Sequence, residues 1–262
     1  SHSLPIIVQL DVTDGLARER EASELVALGR SIAEPAVQTV YREYLMAIDS
    51  ILAPEYLGLA MEVNLIRAVA PADVYGAVVT MTNEGAAALA AHGSSAEPFV
   101  SFQVETAWGR LGGEVGYTGI GTERADFPFI RAAGLSSYPF LGGFDDPEEV
   151  PLDYYARLLA QTSLPGLVVE GGWSSASVEG VGSSAEKQAR WIRRQMQLAD
   201  HAGLIAVTQI TFTDLDLSTY PVPPNSILPL FAHLGLVDTD FRSKPALAEW
   251  QRAFSRTLRP PD

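Results

Sequence analysis

Leu167-Val-Val-Glu170-Gly-Gly-Trp173 is a short apolar run closed by a carboxylate, two glycines and an indole. Such a compact β-branched run, ended by glycine, reads as a buried strand. A carboxylate at the end of a buried strand needs a partner or a task, because burying it unpaired is costly.

Working outward, the same pattern recurs on both sides. Leu135-Ser-Ser-Tyr-Pro139, Phe99-Val-Ser-Phe-Gln-Val-Glu105, Tyr56-Leu-Gly-Leu-Ala-Met-Glu-Val63 and Leu4-Pro-Ile-Ile-Val-Gln-Leu-Asp11 read as strands before it, and Leu204 to Phe212 as a sixth after it. Amphipathic helices fall between them. Val37, Val40, Tyr41, Tyr44, Leu45, Ile48 and Leu52 keep the 3.6-residue period, with Pro35 in the first turn and Pro54 closing the segment. Pro71 to His92 and Pro151 to Thr162 read as further helices. The next carries a capping box, Ser183 to Glu186, and a stripe of Ala185, Ala189, Ile192, Met196 and Ala199. A last helix follows Ser243 with Leu247, Trp250 and Phe254, while the Gly-rich stretch 107–125 reads as an exposed loop. Alternating strands and helices predict a parallel sheet with the helices packed outside it.

The 262 residues show no linker or shift of composition, so residues 1–262 read as one α/β domain. That length suits a β/α barrel of about 250 residues. With 18 basic against 32 acidic residues the net charge is −14, which argues against a nucleic-acid partner. No apolar run approaches the roughly 20 residues of a membrane helix, so no membrane partner is expected. The first residues lack the charged and apolar regions of a secretory leader. With no Cys there are neither disulfides nor thiolate metal sites, and the four His at 2, 92, 201 and 233 form no i,i+4 pair. No metal and no cofactor is predicted. No Gly-rich dinucleotide turn, Walker loop or G-x-S-x-G elbow is present, which leaves little support for nucleotide binding or serine hydrolysis.

What remains is a row of polar and aromatic residues at successive strand ends. They are Asp11, Glu62 with Asn64, Gln103 with Glu105, Tyr138, Glu170 with Trp173, and Asp214. A parallel barrel directs all such ends to one mouth. Glu62 and Glu170 follow the most apolar runs. Two carboxylates across a sugar ring are the equipment of glycosidic cleavage, one as proton donor and the other as nucleophile or base. Trp173, Trp108 and Tyr138 offer flat faces for a pyranose. Taken singly, a strand-end glutamate more often serves a salt bridge, and loop hydrogen bonding explains Asp11, Gln103, Glu105 or Asp214. Trp191 and Trp250 lie on helices and read as packing.

In these residues the sequence resembles the clan A retaining glycoside hydrolases, and within them glycoside hydrolase family 53, the endo-β-1,4-galactanases, and its relatives. Tyr56-Leu-Gly-Leu-Ala-Met-Glu-Val-Asn64 resembles the fourth-strand acid/base motif, Ser101-Phe-Gln103 the fifth strand and Ser136-Ser-Tyr-Pro139 the sixth. Val168-Val-Glu170-Gly-Gly-Trp173-Ser-Ser175 resembles the seventh-strand nucleophile motif. Gly235 to Asp240 and Lys244 to Trp250 resemble the family's ending, so the likeness runs from about residue 4 to residue 252. The resemblance implies a (β/α)8 barrel and a retaining hydrolase of β-linked saccharides, with Glu62 as acid/base and Glu170 as nucleophile. It implies a hydrogen bond from Tyr138 to Glu170, and sugar subsites lined by Asn64, Gln103 and Trp173, with Asp11, Glu105, Trp108 and Asp214 as further contacts. A polysaccharide substrate would place the protein outside the cell.

Two departures stand out. Met61 occupies the place before the acid/base where the family carries an asparagine for the sugar 2-hydroxyl. Only six βα units are visible, the third to the eighth, so a partial barrel is expected. The chain is then part of a longer protein, or a fragment that covers its edges by self-association, or it hides two strands in residues 12–55, which read as helical. These departures keep a second reading open, a carbohydrate-binding barrel without turnover. A barrel enzyme of unrelated chemistry is a third.

Overall fold

The computed structural model describes residues 5–113, 115–178 and 180–257. Six strands lie side by side in sequence order: β1 (Ile7–Gln9), β2 (Tyr56–Gly58), β3 (Glu97–Gln103), β4 (Ala132–Ser137), β5 (Gly166–Gly171) and β6 (Ala206–Val207). Every neighbouring pair is parallel. Parallel neighbours need crossovers. These carry α1 (Ser23–Ala27), α2 (Pro35–Leu52), α3 (Val63–Val69), α4 (Ala72–His92), α5 (Val104–Ala107), α6 (Gly121–Asp126), α7 (Ala156–Leu159) and α8 (Ala185–Ala202), and α9 (Pro245–Phe254) follows β6. The result is the partial TIM-type barrel expected from the sequence. Among the described residues the far edges of β1 and β6 carry no ladder.

Alternation along the strands sends one set of side chains to each face. Val100 and Phe102 of β3, Leu135 of β4 and Val168 of β5 point outward and join Val78 and Met81 of α4 and Trp191, Ile192 and Leu198 of α8 in the main core. Leu57 and Leu59 meet Leu45 of α2 and Leu89 of α4 in a second outward cluster. The inner face is smaller: Phe99, Ala132 and Leu167 are buried there with Ile7, Tyr56 and Ala206 against them. The Phe99 ring explains two glycines. A Cβ at Gly58 would lie 2.7 Å from its Cζ, and one at Gly134 would lie 2.8 Å from its Cδ2.

Several elements differ from the sequence reading for local reasons. Leu4, the expected start of the first strand, lies outside the described residues. The sixth strand shrinks from 204–212 to two residues, because β6 has a ladder on one side only. Beyond Val207 its contacts are single bonds, Thr208 N–H to Val168 O at 2.9 Å and Ile210 N–H to Gly171 O at 3.0 Å. The expected helix 151–162 is helical only over Ala156–Leu159, and the loop 107–125 runs into α6. The cap of α8 is Ser184, whose side chain accepts from the Lys187 N–H at 3.2 Å, one residue past the Ser183 of the expected capping box. Ser183 instead accepts from the Trp173 indole.

At the β1 side the cover is thin. α2 buries Leu45 but leaves Val40, Tyr44 and Ile51 at 63%, 60% and 78% exposure. A groove of about 490 Å³ runs there between β1 and α2, lined among others by Val8, Gln9, Asp11, Tyr41, Tyr44 and Ile48. Among the described residues no helix is long and apolar enough to cross a membrane.

Candidate active site

Glu62 closes the loop after β2. Its backbone is left-handed, with φ 49° and ψ 44°, an uncommon conformation for a residue with a side chain. The strain is held from below, since the Glu62 N–H donates to Ser101 Oγ at 2.9 Å. Glu62 is also the residue from which α3 starts, and its carbonyl accepts from Leu65 and Ile66. An observed outlier of this kind at a strand end marks a position held for its side chain.

The Glu62 carboxylate is buried at 7% exposure and fully engaged. Oε1 accepts from Ser136 Oγ at 2.6 Å, and Oε2 accepts from Arg18 Nε at 2.9 Å. Arg18, in the segment between β1 and α1, is itself buried and also donates from Nη1 to Asp11 and to Thr13 Oγ1 at 3.1 Å. Asp11 thus stands at the mouth as the outer partner of a guanidinium.

Glu170 reaches the same mouth from β5. A register shift at Leu135/Ser136 sets Glu170 opposite Ser136, so the hydroxyl that serves Glu62 neighbours the strand position of Glu170. Tyr138 donates to Glu170 Oε1 at 2.6 Å, the bond the resemblance implies, while Oε2 is buried with no hydrogen-bond partner among the described residues. Burial is the main cause that pushes the Glu170 carboxyl up to about 7, and the charge of Glu62 adds to it. The Tyr138 bond and then Arg18 pull the other way. Tyr138 is itself 2% exposed, its hydroxyl is pushed upward by burial, and Phe231 packs edge-on to it at 5.1 Å.

The other residues expected to line subsites have different occupations. Asn64 is buried and clamps the backbone of Gln103, donating to its carbonyl at 2.8 Å and accepting from its N–H at 2.7 Å. The Gln103 side chain caps α5 through the Thr106 N–H at 2.8 Å and donates to Glu105 at 2.6 Å. Glu105 has no exposed surface and lies under Tyr154 Oη at 2.8 Å. Trp173 is 1% exposed, with Phe140 at 5.9 Å and Trp191 at 5.7 Å, so it is core rather than a sugar platform. Trp108 is stacked on Tyr154 at 5.2 Å and donates to the Tyr154 carbonyl. Asp214 is paired with Lys244 and accepts from the Gly235 N–H, which ties the chain after β6 to the segment before α9. For the polar ones there is a common physical reason. A polar group at the end of a strand flanked by helices meets orphan backbone donors before it meets a ligand.

The structure therefore brings together Asp11, Glu62, Tyr138 and Glu170, and adds Arg18, Thr13, Ser136 and Phe231, which sequence reasoning passed over. Arg18 had a signal. It is the first Lys or Arg of the chain and lies seven residues after the strand-end Asp11. Ser136 and Phe231 had none, since their roles depend on a register shift and on a loop conformation. Among the described residues no group of three or more His, Asp and Glu could hold a metal ion.

No protein-family model matches the chain, and no curated protein sequence matches it. Solved structures do. A β-glucuronidase from an uncultured Clostridium is similar with a TM-score of 0.59 at 14% identity, over 84% of this chain and 36% of that one. The exo-β-1,4-mannosidase Op5Man5 from Opitutaceae bacterium strain TAV5 gives 0.57 at 18%, over 83% and 40%. The GH53 catalytic domain of Ignisphaera aggregans gives 0.57 at 16%, over 85% and 65%. The chain thus spans between about a third and two thirds of the length of these neighbours. At these identities the likeness is one of fold, and it does not single out the family 53 group. The chain has the barrel fold of glycoside hydrolases, in part.

Proposed function

We propose that this chain is a retaining glycoside hydrolase acting on β-linked oligo- or polysaccharide, with Glu170 as nucleophile and Glu62 as acid/base. The observation that carries the reading is the divided carboxylate of Glu170. One oxygen is held by Tyr138 and the other is buried and unbonded beside a second buried glutamate.

The chemistry follows from that division. Glu170 Oε2 forms an ester bond to the anomeric carbon as the glycosidic C–O bond breaks, and the leaving oxygen takes a proton from Glu62. Water then gives a proton to Glu62, attacks the anomeric carbon and breaks the ester, which returns Glu170 as a carboxylate. Tyr138 orients Oε1 throughout, so that the free oxygen presents its lone pairs to the sugar. Met61, half-buried before Glu62, supplies an apolar contact where an amide would bond a 2-hydroxyl.

A 2-deoxy-2-fluoro β-glycoside with an activated leaving group is expected to label Glu170 covalently, read by peptide mass spectrometry. Absence of labelling with gluco, galacto and manno reagents would sink the proposal.

One observation favours a second reading, a carbohydrate-binding barrel without turnover. Both oxygens of Glu62 are engaged, one by the buried Arg18 guanidinium and the other by Ser136, which leaves neither turned to a leaving group. Calorimetry that finds oligosaccharide binding with no hydrolysis over hours would support this reading over the first.

A further inference from the structure

Glu105 is a buried ionisable group that the proposed chemistry leaves idle, and it lies behind the strand end that serves both mouth carboxylates. Side chains alternate along Ser136-Ser137-Tyr138. Ser136 and Tyr138 face the mouth, where Ser136 Oγ donates to Glu62 and Tyr138 Oη to Glu170, each at 2.6 Å. Ser137 turns the other way. Its Oγ donates to Glu105 Oε1 at 3.4 Å and accepts from Tyr155 Oη at 3.1 Å. Tyr154 Oη donates to the same Glu105 oxygen at 2.8 Å, Gln103 Nε2 donates to Oε2 at 2.6 Å, and the Tyr138 backbone N–H favours the anion. All of these groups turn donors to Glu105. A carboxylate only accepts and so suits them, whereas an amide would set its own N–H groups against a donor. The arrangement has little slack. Glu105 has no exposed surface, a Cβ at Gly142 would lie 2.9 Å from its Cγ, and a Cβ at Gly171 would lie 2.7 Å from the Ser137 carbonyl oxygen.

We propose that Glu105 is a positioning residue for the mouth: by holding Ser137 and the Tyr138 backbone from behind, it fixes the strand end whose flanking hydroxyls serve Glu62 and Glu170. The inference rests on the reading of those two glutamates as a glycosidase pair. It moves part of the control of Glu170 to a carboxylate that has no surface for a substrate to touch. The titratable and charged groups that face Glu105 are Tyr138 after β4, Tyr154 and Tyr155 before α7, and Arg110 after α5.

The test is a pH titration of the full chain labelled with ¹³C at the glutamate carboxyls, followed by NMR, with the Glu170 signal assigned by its loss in Glu170→Gln. Two effects of Glu105→Gln have opposite signs on that signal. Removal of a nearby negative charge alone lowers the Glu170 midpoint, whereas loosening of the Tyr138 bond, which favours the Glu170 anion, raises it. Glu105→Gln is expected to raise the midpoint by less than Tyr138→Phe does. In a Tyr138→Phe background it should give no further rise. A midpoint that falls or stays in Glu105→Gln overturns the proposal, even where the variant loses stability, and so does an equal rise in the Tyr138→Phe background. If Glu105→Gln does not fold, Gly142→Ala replaces it, since its methyl presses on Glu105 without changing a charge. The midpoint should rise there too, and an unmoved one then overturns the proposal. Where the wild type takes the fluoro-glycoside label, Glu105→Gln should slow labelling of Glu170 by about tenfold, the equivalent of one pH unit. Labelling at the wild-type rate overturns the role. Failure of the glycosidase reading shows instead as a wild type that takes no label, while the midpoints are read all the same.

Discussion

The centre of the sheet and its β1 side are written in the same alternation of apolar and polar residues and yet have different fates. Between β3 and β4 five residue pairs are in register, and all six residues of β4 are buried. β1 has three residues, none fully buried, and the helix beside it turns Val40, Tyr44 and Ile51 to solvent. The candidate site straddles this boundary. Tyr138 and Glu170 come from the centre, whereas Arg18 and Asp11 come from the flank. The difference teaches that the outer face of the sheet, packed under α4 and α8, is enough to bury the Glu170 side of the mouth, while the charge that balances it is drawn from the open side.

If the centre carries the fold, the largest loss should come from its packing. Trp191 on α8 is fully buried against Trp173, two residues past the end of β5. Trp191→Ala is expected to cost about 3–5 kcal/mol in urea unfolding. A cost below about 1 kcal/mol would break the comparison.

A second test uses charge within the centre. Burial pushes the Glu105 carboxyl from an ordinary 4.5 up to about 7, against the hydrogen bonds from the Tyr138 backbone, Tyr154 and Gln103. The folded state therefore holds this proton more tightly than the unfolded chain. The resulting stability is complete below about pH 4.5 and is lost as pH rises through 7, on the order of 3 kcal/mol in all. Glu105→Gln should remove that part of the fall in unfolding free energy between pH 5 and pH 8. Glu170 adds to the fall in the same window, so the double variant with Glu170→Gln should be flatter still. An unchanged slope in Glu105→Gln would show that its burial is relieved in solution.

These effects also mark how far the sequence could be read. All six strands and the three long helices were legible, because hydrophobic period and proline or glycine punctuation are local properties. Glu62 and Glu170 stood out because each ends an apolar run. The contacts that occupy Asn64, Gln103, Glu105 and Trp173 were not legible. A polar or aromatic residue at a strand end looks the same in sequence whether it faces the mouth or bonds the backbone of the next loop. Which way it faces is settled by crossover geometry, as in the Asn64 clamp on Gln103. Arg18 is hidden for a different reason: its place is set by the burial of carboxylates that demand a cation, and burial is a property of the fold rather than of the local sequence.

At the boundary itself the expected effect is on rate rather than stability. Tyr138→Phe removes the one side-chain hydrogen bond to the Glu170 carboxylate found among the described residues, worth about 1.5–3 kcal/mol for a charged acceptor. Covalent labelling of Glu170 by the fluoro-glycoside should slow by about 10- to 100-fold. Labelling at the wild-type rate would mean that Oε1 is oriented by something else.

The smallest effect belongs to the flank. Ile51 is 78% exposed on α2, and a solvated isoleucine contributes little to the fold. Ile51→Ser should change unfolding free energy by no more than about 0.5 kcal/mol, the usual range for surface substitutions. Tyr44→Ser, on the same face, should behave alike. Both are best measured over a hundredfold range of protein concentration, because the open edge of β1 and the apolar face of α2 are together the kind of surface that draws a second copy. A loss above about 1.5 kcal/mol that grows with concentration would mean that this face is covered in solution. The contrast between a buried centre and an open flank would then describe one subunit of an assembly, with Arg18 and Asp11 lying near a subunit contact. A small, concentration-independent change leaves the flank open to solvent.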